Sequence, residues 1–404
     1  MLSTDSINFL VQPIIDRQES INTFVLETIA NRVGEIGKIS PADLRRLKLL
    51  AIFGADIREM NSTLAEMSKL QVRDIKGMIK AAAIESHTDA KPLYDYRHKR
   101  FIPYDKNIKL QRIVTAIGNQ TAQTYTNLSN SKATGFLIRD LQHPGKLKFH
   151  SINDTYQTIM DEAIQSVKSG VDYRVAMRRA LKQLADSGIR RLYWDSGYTQ
   201  RVDTAVRRNL LDAVRQIDQG VEDLIGKEVG ADGKELSAHA NSAPDHEPFQ
   251  GHQFTNKQYE NLQSNNDFSD IHGQHFSGVD RVIGQWNCRH VARSIIVGVT
   301  KPKYTVTQLN KMIEDNAKGY TTPDGKHMTM YECSQLQRQL ETRIRYAKDE
   351  QMALQKAGDM AGARIARKKV IELLNEYKAF SRDCGLRPQL DRAKVIGYRA
   401  IKPN

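Results

Sequence analysis

Five residues near the middle of the chain carry the side chains with the richest chemistry. His239 and His246 lie with six residues between them, and Asp245 sits directly beside the second. Further on, Asn287-Cys288-Arg289-His290 places a thiol and an imidazole two positions apart, so both point to the same side if that stretch is extended. Two histidines followed by Cys-x-His form a donor set that zinc accepts in tetrahedral geometry: His239, His246, Cys288 and His290. The same groups admit a nucleophilic reading, with Cys288 as nucleophile, His239 or His246 as base and Asp245 as the group that orients it. They also admit a plain structural one, in which imidazoles and thiol satisfy loop backbone that has no ladder partner. Phe249 and Trp286 flank the two halves and read as core aromatics rather than substrate platforms.

A second chemistry is carried by basic residues at helical spacing. Arg174, Arg178, Arg179 and Lys182 fall on one side of a helix, Arg207-Arg208 continue the pattern, and Arg364, Arg367, Lys368 and Lys369 repeat it near the end. Such stripes can meet phosphates without reading sequence. They can equally be solvated helix faces stabilised by pairs such as Glu341 with Arg345. No helix-turn-helix, zinc-finger or base-stacking pattern accompanies them.

The elements that must position these groups follow from periodicity. The first two hundred or so residues read as successive helices. One starts at Ser40-Pro41-Ala42-Asp43, carries Leu44, Leu47, Ala51 and Phe53 on an apolar side, and runs toward Met67. A loop from His87 to Tyr104, broken at Lys91-Pro92 and Ile102-Pro103, precedes a helix over Ile108–Leu128. The stretch from Tyr156 to Val167 repeats apolar residues at i, i+3, i+4 and i+7, with Asn153 or Asp154 as its cap and Gly170 as its end. Helices over Tyr173–Ala185 and Thr199–Ile225 follow. From Gly226 to Tyr304 the chain turns to Gly, His, Asn and Ser, with short strands expected at Glu235–Ala238 and Ala292–Val297. Helix returns from Tyr331 to Asp383, broken into an antiparallel pair at Ala357-Gly358-Asp359, and Ala393–Tyr398 reads as a terminal strand. The fold class is therefore mainly α with a small loop-rich α+β module, a helical N-terminal region and a long C-terminal helical hairpin. The segments are 1–150, 151–226, 227–330 (the module holding the His/Cys cluster) and 331–404.

The totals narrow the partners. A chain of 404 residues buries a real core, and a formal net charge of +13 favours acidic partners. Three widely spaced cysteines are not a disulfide framework and fit assembly in a reducing cytoplasm. The N-terminus lacks the basic and apolar stretches of a signal peptide, and no apolar run approaches the roughly 18 residues that span a bilayer. A soluble protein without membrane partners is expected.

Four stretches, taken in order, resemble phage minor capsid protein 2, a family related to Mu-like head-morphogenesis proteins. They are Gly188-Ile189 with Tyr193–Gly197 and Ala205–Arg208; Ser237-Ala238-His239 with Pro244, His246 and Phe249-Gln250-Gly251; Asn287–His290 with Gly298 and Tyr304; and Tyr331-Glu332 with Gln335, Gln337-Arg338, Glu341 and Ile344-Arg345. The family pattern carries Gly-Ala-Arg where this chain has Ala240–Ala243, and Trp where it has Phe249. The resemblance covers roughly the C-terminal half and marks Gln250, Gly251, Asn287, Arg289, Gln337 and Arg338 as structural motif residues. It implies a virion structural protein rather than an enzyme, present in several copies on the inner side of the capsid near the portal. Its implied partners are the portal, other capsid proteins and packaged double-stranded DNA. The competing classes are a zinc- or cysteine-dependent hydrolase carried in the virion and a non-sequence-specific DNA-binding protein.

Overall fold

The structure, a computed structural model, describes residues 2, 4–39, 49–129, 133–140, 143, 145–169, 172–193, 196–264, 267–276, 283–284, 288 and 290–402. The expected cap at Ser40–Asp43, Leu44, Leu47, Gly170, Trp194, Asp195, Trp286, Asn287 and Arg289 lie outside the described residues. The helices are α1 (Thr4–Ile36), α2 (Leu49–Asp89), α3 (Lys91–Tyr96), α4 (Ile108–Leu128), α5 (Ile152–Lys168), α6 (Tyr173–Ser187), α7 (Val202–Val229), α8 (Asn256–Gln263), α9 (Val306–Lys318), α10 (Met330–Lys356) and α11 (Met360–Asp383). The chain is mainly α with small antiparallel sheets, as the periodicity predicts. No helix among the described residues is long and apolar enough to cross a membrane.

The chain forms two compact units, each gathered from three segments. One comprises Met1–Pro13, Arg73–Thr124 and Arg208–Leu336; the other comprises Ile14–Val72, Tyr125–Arg207 and Gln337–Asn404.

In the first unit the sheet that carries the site has strand order β6-β5-β9, from β5 (Gly233–Leu236), β6 (Gln253–Thr255) and β9 (Ala292–Ile295), while β7 (Phe268–Ser269) and β8 (His275–Phe276) pair separately. Both pairings are antiparallel, with Glu235 opposite Gln253 on one side and Arg293 on the other. The two strands expected here, Glu235–Ala238 and Ala292–Val297, therefore exist as β5 and β9 and pair directly with each other. Glu235 is buried, and its charge is compensated from three directions. Arg293 donates to Oε1 at 2.9 Å, Gln253 Nε2 donates to Oε2 at 2.7 Å, and the Lys303 backbone N–H donates to Oε2 at 3.1 Å. A buried carboxylate is tolerated only with this kind of satisfaction. On the outer edge of β9, the Gln219 amide takes the place of a further strand: Ala292 N–H donates to its Oε1 at 2.9 Å, and its Nε2 donates to Ala292 O at 3.3 Å. Helices α8 and α9 both begin with capping boxes, Thr255/Gln258 and Thr305/Gln308, which satisfy two orphan donors each. In this unit Lys91-Pro92 opens α3 instead of breaking the chain, because proline's missing N–H costs nothing in a first helical turn. His87, expected in a loop, is buried in the last turn of α2 and stacks on Phe101 at 4.6 Å.

The second unit holds a four-stranded antiparallel sheet of order β2-β1-β3-β4, from β1 (Thr134–Arg139), β2 (Leu147–Ser151), β3 (Arg190–Leu192) and β4 (Thr199–Arg201). The all-helical reading of the first two hundred residues missed it. Phe136 and Ile138 alternate inward on β1, but six residues of alternation are outweighed by long flanking helices. The cap of α5 is Ser151, whose Oγ accepts from the Asp154 N–H at 3.1 Å; Asp154 is the third helical residue and not the cap. Thr199–Arg201 is strand, so α7 starts at Val202.

The C-terminal hairpin stands as expected: Leu340, Ile344 and Ala347 of α10 meet Val370, Leu373 and Tyr377 of α11 in one buried cluster. Gly358, at φ 84°, makes the turn, and Asp359 caps α11 by accepting from Gly362 N–H at 3.0 Å. The terminal strand is not there. Leu390–Ala393 is a 3₁₀ turn, and 394–400 has no ladder. Its carbonyls go to side chains instead: Thr23 Oγ1 donates to Ile396 O at 2.9 Å and Gln351 Nε2 to Arg399 O at 2.9 Å. Alternating apolar residues specify an extended strand only where a sheet edge is offered.

Candidate metal centre

His246, Cys288 and His290 converge. One donor atom from each lies within 4.8 Å of the others, and all three side chains are buried. Cys288 Sγ is 3.4 Å from His246 Nδ1 and 3.5 Å from His290 Nδ1. The outer ring nitrogens also have oxygen neighbours. His290 Nε2 is 3.4 Å from Gln250 Oε1, and His246 Nε2 is 3.6 Å from Asp245 Oδ2.

The fold around them follows from the motif residues. Ser237, one residue beyond β5, pairs with Val291, one residue before β9. Its N–H donates to Val291 O at 2.9 Å and its Oγ accepts the Val291 N–H at 3.0 Å. That exchange locks the His239 arm to the Cys-x-His arm. Phe249 packs with Leu236, Phe254, Ile283 and Cys288 in the apolar cluster beneath the site, as expected of a core aromatic. Gln250, also buried, accepts the His239 N–H on the same Oε1 that faces His290, at 3.1 Å. Gly251 sits at φ 76°, and a Cβ there would come within 2.4 Å of Leu309 Cδ2. The Gln-Gly pair therefore has two separate jobs: a buried acceptor for the His239 backbone N–H and the His290 ring, and a left-handed turn under a leucine. We predict that Gly251→Ala lowers stability by about 1–3 kcal/mol, read as a drop in the denaturant midpoint.

His239 is placed differently from the other three. Its ring lies face to face with His290 at a centroid distance of 4.5 Å, while its Nδ1 is 3.4 Å from Ala240 O. Three of the four expected donors thus form the convergent set, and the fourth stacks upon it. Burial pushes the Cys288 thiol up, but hydrogen bonds from His246 and from the Gly284 and His290 backbone, with the His246 charge, outweigh it and leave the thiol easier to ionise than usual. Chemically, the cluster offers a thiolate and two imidazoles in a small volume. That suits a borderline-soft cation, and it also contains the Cys–His–Asp connectivity of a nucleophilic set. The sulfur belongs to the apolar core of the unit, which favours the bracing use.

The basic residues divide. On α6, Arg174 and Arg179 are exposed, whereas Arg178 is hydrogen-bonded to Asp359 (Nη2–Oδ1 2.8 Å) and Lys182 is paired with Asp186. Arg208, Lys368 and Lys369 are exposed, Lys369 with Glu350 at 3.6 Å; Arg207 and Arg364 are half-buried; Arg367 donates to Tyr398 OH at 3.1 Å. In the last motif, Gln337 is buried and donates to Ser381 Oγ at 3.0 Å and Arg387 O at 3.2 Å, tying the hairpin to the segment after it. Arg338 is half-buried beside Glu341.

Sequence reasoning missed a buried ionic cluster in the second unit. Arg345 donates to Glu19 Oε1 at 3.0 Å and to Asp203, Arg201 Nε donates to Asp203 Oδ1 at 2.8 Å, and Asp349 lies 3.9 Å from Arg201. The Arg201 guanidinium also sits over the Tyr346 ring at 5.1 Å. The expected Glu341–Arg345 pair does not form; Glu341 accepts from Tyr377 OH at 3.1 Å and pairs with Arg392 at 3.3 Å. Gly188, at φ 56°, leaves room for Arg201, whose Nη1 would lie 2.3 Å from any Cβ there. Two of the motif stretches, Gly188-Ile189 and Ile344-Arg345, thus meet at this cluster.

A model of the family described as phage minor capsid protein 2 matches residues 2–381. The chain belongs to this family and is a structural protein of the phage virion. Searches of curated proteins and of solved structures found no match.

Proposed function

We propose that the protein is a minor component on the inner side of the capsid, at or near the portal, acting in head assembly and in packaging or ejection of DNA. The family match over residues 2–381 carries this reading. The helical segments would dock on the portal and other capsid proteins, several copies per particle. A helix of about twenty residues is about 30 Å long, and the 41 residues of α2 exceed that comfortably. Such elements suit bridging between subunits. Quantitative mass spectrometry of purified, nuclease-treated particles tests it. The chain should be present at a copy number well below that of the major shell protein. Its absence from washed particles would end the proposal.

The net charge of +13 favours a DNA-facing role within that assignment. Arg174, Arg179, Arg208 and Lys368 are exposed and suited to phosphate, whereas Arg178 and Lys182 are occupied by carboxylates. With roughly four phosphates neutralised, affinity for mixed-sequence duplex falls about 4,000-fold per tenfold rise in salt, scaling as about −0.9 per contact. Arg179→Ala lowers that slope by about one. A flat salt profile would remove DNA contact from the assignment.

A further inference from the structure

We propose that His246 Nδ1, Cys288 Sγ and His290 Nδ1 form a zinc site with three protein ligands, and that His239 is a stacking residue outside it. The inference goes beyond the virion role and stands on the geometry of the unit alone. In tetrahedral zinc sites, Zn–S near 2.3 Å and Zn–N near 2.0–2.1 Å imply S···N edges of about 3.6 Å. The two S···N separations are 3.4 and 3.5 Å. A thiol and two imidazoles already stand almost at the edge lengths that a coordinated ion sets.

Two further features are those of a metal site. Ligating histidines offer their outer nitrogen to a carboxylate or a carbonyl oxygen, which fixes the ring and its tautomer. Here His290 Nε2 faces the Gln250 amide oxygen and His246 Nε2 faces Asp245. Gln250 is itself buried and held by the His239 backbone N–H, so its oxygen is fixed before any ion arrives. The Ser237–Val291 exchange anchors the segment that carries Cys288 and His290 to the end of β5. A soft thiolate with two imidazoles selects zinc over magnesium or calcium, which require oxygen donors. Binding converts the thiol to thiolate and releases its proton to solvent. Three protein donors leave one tetrahedral position for water or a ligand from outside the chain.

The test uses the full chain, stripped with chelator and then titrated. Zinc should bind at one equivalent, and cobalt in its place should give a near-ultraviolet thiolate-to-cobalt charge-transfer band. Cys288→Ser abolishes the band, and His246→Ala lowers affinity at least tenfold. His252→Ala, a histidine of the same unit paired with Asp270 at 2.8 Å, leaves both unchanged. His239→Ala retains one equivalent of zinc. Circular dichroism identifies any variant that fails to fold, and the cobalt spectrum of the unaltered chain decides the matter without variants. No zinc above background, or cobalt bound without the thiolate band, overturns the site. Loss of zinc in folded His239→Ala overturns the three-ligand assignment.

Discussion

Arg345→Met is expected to cost about 3–5 kcal/mol of stability, because it removes one partner of a buried ionic cluster and leaves the others uncompensated. Arg345 is the shared donor to Glu19 and Asp203, and both carboxyl groups are almost wholly buried. Asp203 would then keep Arg201 as its one hydrogen-bonded guanidinium. In the intact cluster, burial works to raise the Asp203 carboxyl, but Arg201 and Arg345 outweigh it and hold Asp203 far below the usual carboxylate range. The lost arginine therefore cannot be offset cheaply by protonation at neutral pH. Methionine keeps much of the side-chain volume, so a loss of this size reports charge rather than packing. Chemical denaturation of purified protein at neutral pH measures it. A midpoint within experimental error of the unaltered chain would show that the cluster contributes nothing net.

The same cluster sets a pH dependence. Burial, and then the neighbouring Asp203 charge, raise the Glu19 carboxyl from 4.5 to about 8. Burial likewise raises Asp349 to about 6 against the pull of Arg201. The unfolded chain releases the Glu19 proton near 4.5, while the folded chain keeps it up to about 8. The stability this contributes is complete below the lower value and is lost as pH rises through the higher. Between about pH 6 and about pH 8 the Glu19 contribution falls by about 1.4 kcal/mol per unit. Asp203 has the opposite sign: its depressed value adds stability above 3.8 that disappears as pH falls. Glu19→Gln keeps a hydrogen-bond donor for Asp203 but cannot ionise. It should flatten the alkaline decline while leaving the acid limb in place. An unchanged alkaline slope in Glu19→Gln would place the titrating group elsewhere.

The sequence showed more of the candidate site than of the frame that carries it. Cys288 and His290 are two apart, and His246 follows a recognisable Ser-x-His arm, so donor types at short spacing pointed to one centre. The separation of His239 from the set was not visible, because stacking and ligation use the same residue type. The long helices were legible wherever apolar residues kept the 3.6-residue period over several turns, as in α4 and α5. The β1–β2 hairpin was not, since strands of five and six residues offer little alternation. Ala393–Tyr398 showed the reverse failure: a good strand pattern with no edge to join. Arg345 looked like half of a solvated pair with Glu341, because its burial depends on the carboxyl groups of Glu19 and Asp203, far away in sequence. The gathering of each unit from three distant segments leaves no trace in local pattern at all.

A reconstruction of the DNA-filled particle without imposed symmetry tests the central assignment most directly. The account predicts helical density for this chain on the inner face of the shell at the portal vertex, with the basic face of Arg174 and Arg179 turned toward the packaged duplex. Density for the chain on the outer surface, or distributed equally over all vertices, would contradict it.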